Sequence, residues 1–136
     1  MKIVAAVPVR NRELYIAPYL EMLLELDITP IVTFGTKPWT NHTGDEDLDP
    51  DRTERILDTY FPHVTTIKDV FSHHRDSINR CIINAPPYDL MIVNDCDMFI
   101  TKDDWLQFLR FVEDSKGREV YSINFERMII EYYYDW

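Results

Sequence analysis

The sequence predicts an α/β protein in which a mostly parallel β-sheet is flanked by helices. Short apolar runs rich in Val, Ile and Ala alternate with segments whose apolar residues recur every three or four positions. This alternation is typical of strand–helix–strand units, which build parallel sheets. With 136 residues, of which 46% are hydrophobic and 13% aromatic, the chain is long enough for one hydrophobic core. We therefore expect a single domain over residues 1–136.

The first part of the chain contains two predicted strands, a helix and a long loop. Residues 2–9 are apolar and predict a strand for the middle of the sheet. Apolar residues at helical spacing predict an amphipathic helix over residues 14–26. Residues 28–34 predict a second strand, which Gly35 closes. Residues 36–51 are polar and interrupted by proline and glycine, so we expect a loop of unusual length, a feature that is often functional.

The middle of the chain continues the alternation. Asp49 followed by Pro50 is typical of an N-cap and a first helical residue, and this helix is expected to run to Tyr60. Residues 64–70 predict the third strand. Residues 72–85 predict a helix that two prolines end.

The last predicted elements are a strand, a helix and a further strand. Residues 90–93 form a short, continuous, β-branched run, which predicts a buried fourth strand. Thr101 and Asp104 have the spacing of a capping box, and residues 119–125 predict a fifth strand. The helix after the capping box is expected to bury one face, made of Trp105, Phe108, Leu109 and Val112.

The charge of the chain disfavours two classes of partner. A net charge of −10 argues against nucleic acid and against anionic lipid, because both require a basic surface. We expect no signal peptide and no transmembrane segment, because the chain enters a strand at once and no apolar run reaches the length of a membrane span. The expected location is the cytoplasm.

The cysteines and the paired histidines predict no site of their own. Cys81 and Cys96 lie in apolar stretches and lack the spacing of a zinc site, so we expect two buried thiols in a reducing compartment. His73 and His74 are adjacent, and neighbouring residues on a helix point in different directions. They therefore predict a solvated helix start.

Two carboxylates follow the predicted fourth strand. Asp95 and Asp97 come directly after the apolar run and its Asn94. Carboxylates at the end of a buried strand cost free energy of folding unless a positively charged group pairs with them. Mg²⁺ or Mn²⁺ carrying substrate phosphates is a common solution, because these ions prefer carboxylate and phosphate oxygens. The alternative is that both are ordinary loop residues, since Asp is frequent in loops.

Three stretches of the chain occur in an order and spacing known from one enzyme class. They are residues 4–13, residues 77–85 and the triplet Asp95-Cys96-Asp97. Together they resemble the first strand and turn, the helix before the metal motif, and the DxD motif of the GT-A nucleotide-sugar glycosyltransferases, close to family 2. The resemblance covers residues 2–125. It implies a Rossmann-like GT-A fold and a transferase that moves a sugar from a nucleotide diphosphate to a hydroxyl group.

The same resemblance implies how the sugar donor is bound. A divalent cation, Mn²⁺ or Mg²⁺, would sit on Asp95 and Asp97 and bridge the diphosphate of a UDP- or GDP-linked sugar. As a Lewis acid, the ion would neutralise charge on the departing nucleoside diphosphate. For the arginines of the site, an ion pair with a nearby acid is the alternative role. The implied donor-binding residues are Pro8, Arg10, Asn11, Arg75, Arg80 and Asp95.

The acceptor side of the reaction would lie after the predicted fifth strand. We expect an inverting enzyme, which needs a base to remove the proton of the acceptor hydroxyl. The candidate bases are Glu126, Glu131 and Asp135, of which Asp135 is favoured because it lies among aromatic residues on which sugars stack. The acceptor is expected to be a glycan or another hydroxyl compound.

The chain departs from the family pattern in two respects. Residues 33–36 contain no acid at the point where the family often contacts the base or ribose, and the chain is short for the family. One alternative is therefore a non-catalytic or oligomer-dependent module that binds a nucleotide sugar, with a homo-oligomer completing the site. Another is a different metal–phosphate enzyme, either a nucleotidyltransferase or a phosphatase.

Overall fold

The computed structural model describes residues 1–38 and 50–114. Strands and helices alternate along these residues, and the strands form one all-parallel four-stranded sheet flanked by helices, which confirms the predicted α/β class and is consistent with a Rossmann-like fold. The strands are β1 (Ile3–Val9), β2 (Thr29–Gly35), β3 (Thr65–Asp69) and β4 (Leu90–Val93). The helices are α1 (Ile16–Glu25), α2 (Thr53–Tyr60), α3 (His74–Asn84) and α4 (Lys102–Asp114).

The strand order β3–β2–β1–β4 reverses beside β1. The chain places β2 and β3 on one side of β1 and then crosses back to add β4 on the other side. Ala6 in β1 thus lies opposite Ile31 of β2 and Val93 of β4. In an open parallel sheet, ligands bind at such a reversal, outside the carboxyl ends of the two diverging strands. We call the place between the carboxyl ends of β1 and β4 the switch point.

The core is centred on β1, which is buried at every position. Its Val, Ala and Ile side chains suit a strand that is covered on both faces. One face carries Val4 and Ala6, which pack with Ile31 of β2 and Cys81 of α3. The buried residues of α1 recur at helical spacing and are Ile16, Tyr19, Leu20 and Leu23.

Both cysteines are buried free thiols, as predicted. Burial raises the pKa of the Cys81 thiol, although hydrogen bonding to Thr33 acts in the opposite direction. The thiol donates to the carbonyl oxygen of Ile31 at 3.3 Å, and the Thr33 hydroxyl also bonds Ser77 on α3. These contacts join α3 to β2, and a thiol with a raised pKa is a poor nucleophile.

Helix α2 begins later than its predicted N-cap. Asp49 lies outside the described residues, and Pro50 precedes the helix without belonging to it. The carboxylate of Asp51 accepts the backbone N–H of Thr53 at 2.8 Å, and the helix starts at Thr53. The prediction of the start was wrong because this stretch offers more than one Asp, and tertiary contacts decide which one serves the helix.

The predicted start of α4 is confirmed, and its predicted buried face is confirmed in part. Thr101 Oγ1 accepts the backbone N–H of Asp104 at 3.2 Å, which is one of the two bonds of a capping box. Trp105 is buried, and its ring lies 5.6 Å from that of Phe108. The other two residues of the predicted face, Leu109 and Val112, are half-buried.

The chain forms two compact units that divide after Cys96. The first unit contains the sheet with α1, α2 and α3, and the second contains α4. The predicted fifth strand, residues 119–125, lies outside the described residues, and the single domain over residues 1–136 remains a prediction. Within residues 1–38 and 50–114, no helix has both the length and the apolar character that a membrane span requires.

Candidate functional site

Polar side chains follow both strands that flank the switch point. Arg10, Asn11 and Arg12 come directly after β1, and Asn94 and Asp95 come directly after β4. Because the carboxyl ends of parallel strands share one edge of the sheet, both loops belong to that edge. The position expected for a ligand in this topology is therefore lined by basic, amide and carboxylate groups.

Arg10 is a buried cation at this edge. Only 5% of its surface is exposed. Its Nη1 donates to the carbonyl oxygen of Gly35 at 3.0 Å, while its Nε is buried and has no hydrogen-bond partner among the described residues. No carboxylate in residues 1–38 or 50–114 forms an ion pair with it. The predicted alternative, pairing with a surface acid, is thus not observed in the described part of the chain.

Gly35 allows Arg10 to lie close to the end of β2. A Cβ at this position would lie 3.3 Å from the carbonyl oxygen of Lys37 and 3.9 Å from the Cβ and Cδ atoms of Arg10. The first distance is tighter than ordinary van der Waals contact, and the atom it meets belongs to the backbone. The absence of a side chain at Gly35 therefore allows the turn at Lys37 and the Arg10 side chain to lie close to it.

The loop after β1 is held by the start of α2. Arg12 donates its backbone N–H to Thr53 Oγ1 at 2.8 Å, and Glu13 donates its backbone N–H to Asp51 Oδ2 at 3.1 Å. In return, the backbone N–H of Asp51 donates to Asn11 Oδ1 at 3.2 Å. Buried or half-buried backbone groups need such partners, so these three bonds define the path of the loop.

Asn11 has the backbone conformation that this path requires. Its φ of 51° lies in the left-handed region, which Asn enters more readily than most residues because its short side chain bonds nearby backbone. An exposed ion pair adds a further link between the same segments, since Arg52 Nε lies 2.9 Å from Glu13 Oε2. That pair contributes little by itself, because both groups are partly in water.

On the other side of the switch point, Asp95 meets a histidine. His74 Nε2, at the start of α3, lies 3.4 Å from Asp95 Oδ1, which is long for a hydrogen bond. The pKa of Asp95 is lowered, mainly by hydrogen bonding to His74 and also by the charges of His74 and Arg12, while burial opposes the shift. The ionised form of Asp95 is thus favoured by groups from α3 and from the loop after β1.

His74 was missed by the sequence analysis, which placed it at a solvated helix start. The signal that could have found it is topological. β3 ends at the same edge as β4, so the first turn of the helix that follows β3 also begins there. Its side chain is 41% exposed, so it is partly solvated as well.

Asp97 offers a buried carboxylate oxygen without a donor. The residue is half-buried, and its Oδ1 is sealed from solvent with no hydrogen-bond partner among the described residues. An oxygen in that state is suited to a cation. Covalent geometry alone keeps the Cα atoms of Asp95 and Asp97 within about 7 Å, because only one residue separates them.

The described residues contain no group of three or more His, Cys, Asp or Glu side chains arranged to hold a metal ion. A site made of Asp95 and Asp97 would leave most coordination positions to phosphate oxygens and water. Mg²⁺ typically binds in that way, through one or two carboxylates together with substrate phosphates. Two carboxylates have the chemistry that such a cation needs, and the metal site on Asp95 and Asp97 stays a prediction.

The other predicted donor-binding residues have different surroundings. Pro8 is buried within β1, opposite Thr33 of β2. Arg80 forms an ion pair with Asp69 at 3.2 Å, and its guanidinium lies 5.6 Å from the centre of the Phe71 ring, so it takes the alternative role of pairing with a nearby acid. Arg75 is exposed on α3. The candidate bases Glu126, Glu131 and Asp135 lie outside the described residues.

Comparisons of the chain with protein-family models, with curated proteins and with solved structures found no match.

Proposed function

We propose that the protein is a metal-dependent glycosyltransferase of the GT-A type, which moves a sugar from a nucleotide diphosphate to a hydroxyl acceptor. The observation that carries this proposal is the pair of carboxylates that follows β4. Asp95 belongs to the edge of the sheet where ligands bind in this topology, and Asp97 has a buried oxygen without a donor. Both features suit a cation that bridges protein carboxylates and a diphosphate.

The residues around Asp95 would keep its carboxylate ionised and oriented. The His74 contact uses Oδ1 of Asp95. Asp95 would then bind a metal ion or a hydroxyl of the donor, and Asp97 would supply the second carboxylate. Mn²⁺ or Mg²⁺ bound there would neutralise charge on the departing nucleoside diphosphate.

The loop after β1 would frame the nucleotide of the donor. Its backbone is fixed by α2 before any ligand arrives, and preorganisation of this kind reduces the entropy lost on binding. Asn11 and Arg10 are the donor-binding residues proposed on this side. A base from among Glu126, Glu131 and Asp135 would activate the acceptor, with inversion at the sugar as the expected outcome.

The test is thermal melting and nucleotide release with UDP-, GDP- and dTDP-sugars, each with and without Mn²⁺. A ligand that binds only the folded state raises the melting temperature by mass action. At a free ligand concentration of one hundred times its Kd, it adds about 2.7 kcal/mol to the free energy of unfolding. We expect a Mn²⁺-dependent shift with one nucleotide class. Asp97→Asn should abolish that shift, and Asp103→Asn, which removes an exposed acid on α4, should retain it.

Each other result of this experiment has a defined meaning. Mn²⁺-dependent binding that survives in Asp97→Asn would overturn the metal site, and no shift with any donor would overturn the proposed function. Binding without release of nucleotide, together with a mass that rises with concentration, would favour the oligomer-dependent binding module. Release of phosphate from a simple phosphomonoester would favour the phosphatase alternative.

A further inference from the structure

Arg10 differs from every other charged residue in the described part of the chain. Among residues 1–38 and 50–114, it is the only charged residue that is buried. A guanidinium has five N–H donors, and burial of a charge without a counter-charge costs several kcal/mol. The one bond to the carbonyl oxygen of Gly35 leaves Nε without a partner among these residues.

The three other polar residues that are buried within residues 1–38 and 50–114, which are Thr33, Thr53 and Ser77, all have hydrogen-bond partners. Thr53 Oγ1 accepts the backbone N–H of Arg12, and the hydroxyls of Thr33 and Ser77 bond each other. Two of the more exposed arginines have acidic partners, because Arg52 pairs with Glu13 and Arg80 pairs with Asp69. Arg10 is the most deeply buried arginine among the described residues, yet these residues supply no acid to pair with it.

The position of Arg10 indicates what kind of group is missing. The residue directly follows β1, at the edge where ligands bind to open parallel sheets. The Nε edge of a guanidinium presents two parallel N–H donors, and this geometry matches two oxygens of a phosphate. The loop that follows Arg10 is fixed by α2, so the backbone from which the Arg10 side chain extends is held in place in advance.

We propose that Arg10 binds a phosphate group of the ligand, and that it does so without a divalent cation. Because Nε is sealed from solvent in this structure, the guanidinium turns about the last bonds of its side chain as the phosphate enters. The inference rests on the proposed function for the source of the phosphate, a nucleoside diphosphate. It requires neither metal binding nor transfer of a sugar.

The experiment measures binding to the full chain in EDTA by calorimetry and thermal melting. The probes are UDP and GDP, the corresponding nucleosides, inorganic phosphate and pyrophosphate. Arg10→Met removes the charge at similar volume, Arg10→Lys keeps the charge without the fork, and Arg55→Met is the matched control on the exposed side of α2. Hydrogen bonds to a charged group contribute about 1.5–3 kcal/mol, which corresponds to a ten- to hundredfold change in affinity.

We expect a phosphate-bearing probe to bind the native protein in EDTA more tightly than the nucleoside. Arg10→Met should lose at least tenfold in affinity, Arg10→Lys should lose less, and Arg55→Met should be unchanged. If Arg10→Met loses binding of inorganic phosphate or pyrophosphate, the site recognises phosphate by itself. Loss that is confined to UDP or GDP would identify the nucleotide as the source.

Stability separates this role from a purely structural one. Because Arg10 has no counter-charge among residues 1–38 and 50–114, removal of its buried charge should leave the melting temperature of Arg10→Met equal to or above that of the native protein. Equal phosphate binding by Arg10→Met and the native protein would overturn the proposal, as would the absence of phosphate binding in EDTA. If Arg10→Met does not fold, the phosphate affinity of Arg10→Lys is compared with that of Arg55→Met, and equal affinities would overturn the proposal. Asp97→Asn should keep the binding in EDTA, so the metal site and the Arg10 site fail independently.

Discussion

The loop after β1 and the loop after β4 flank the same switch point, but different kinds of contact hold them in place. The β1 loop is fixed by hydrogen bonds between backbone N–H groups and side-chain oxygens of residues 38 to 41 positions apart along the chain. In the β4 loop, Asp95 has a local bond, in which its N–H donates to Asn94 Oδ1 at 3.1 Å, and the 3.4 Å contact with His74. The strands differ in the same way, because β1 is wholly buried whereas Val93 at the end of β4 is 53% exposed.

This difference indicates a fixed side and an adaptable side of the candidate site. Long-range bonds to backbone groups are made on folding, so the β1 loop has its shape before a ligand binds. A half-exposed carboxylate on a long contact can move at little cost. In the proposed site, recognition of the shape of a ligand would thus belong to the β1 loop, and adjustment to its charge would belong to Asp95.

The largest expected effect comes from breaking the fixed side at Asp51. Asp51→Ala removes the acceptors of two backbone N–H groups, those of Glu13 and Thr53, and should cost about 2–3 kcal/mol of unfolding free energy. Urea denaturation measures this loss. Asp51→Asn keeps one oxygen and should lose less, and Asp103→Ala on α4 is the control for removing an acid. A loss below about 1 kcal/mol in Asp51→Ala would mean that α2 does not hold the β1 loop.

A smaller effect is expected at Asn11, where two causes can be separated. Asn11→Ala loses the bond to Asp51 and places at a φ of 51° a residue that tolerates the left-handed region less well than Asn, and should cost about 1–2 kcal/mol. Asn11→Gly loses the bond but adopts this φ without strain, so its cost should be lower. Asp27 also has a positive φ, 59°, and Asp27→Gly and Asp27→Ala are the matched controls for strain alone. Equal costs for Asn11→Ala and Asn11→Gly would remove strain from the explanation.

The smallest effect on stability is expected on the adaptable side. His74→Gln should raise the pKa of Asp95 toward its ordinary value of 3.8, because hydrogen bonding to His74 is the main cause of the lowered pKa. NMR titration of the Asp95 carboxyl carbon measures this change. The cost in stability should stay below about 0.5 kcal/mol, because both side chains are half exposed.

The pH dependence of this cost follows from the sign of the shift. A carboxylate with a lowered pKa in the folded state stabilises that state at pH values above 3.8, and the contribution fades as the pH falls through the folded-state pKa. The difference in stability between the native protein and His74→Gln should therefore shrink in acid. Arg12→Gln should move the Asp95 pKa less than His74→Gln does. The opposite order would assign the shift to the β1 loop rather than to α3.

Local features of the sequence were sufficient to predict the elements of this fold. β1 and β4 are short runs of Val, Ile, Leu, Met and Ala, and α1 has apolar residues at helical spacing, so each pattern is contained within a single element. The capping of α4 by Thr101 is equally local. The edge of the sheet that carries Asp95 followed from the alternation of strands and helices, because parallel strands end together.

Features that depend on distant pairing could not be predicted in the same way. The strand order is decided by where the crossover between β3 and β4 passes, and no single segment encodes it. His74 therefore read as an ordinary helix start, although its helix begins at the edge that carries Asp95. The burial of Arg10 is a second case, because arginine is rarely buried without a partner and its type alone predicts exposure.

The central position of β1 has a consequence for how the chain folds during synthesis. β1 lies near the beginning of the chain, yet the residues that cover one of its sides, Leu90–Val93, are made much later. Just before the two strands, the backbone N–H of Lys2 donates to the Asp89 carboxylate, and these residues are 87 positions apart in the sequence. Until β4 emerges from the ribosome, an apolar strand presents an unpaired edge, and this interval is when the nascent chain is most prone to aggregate.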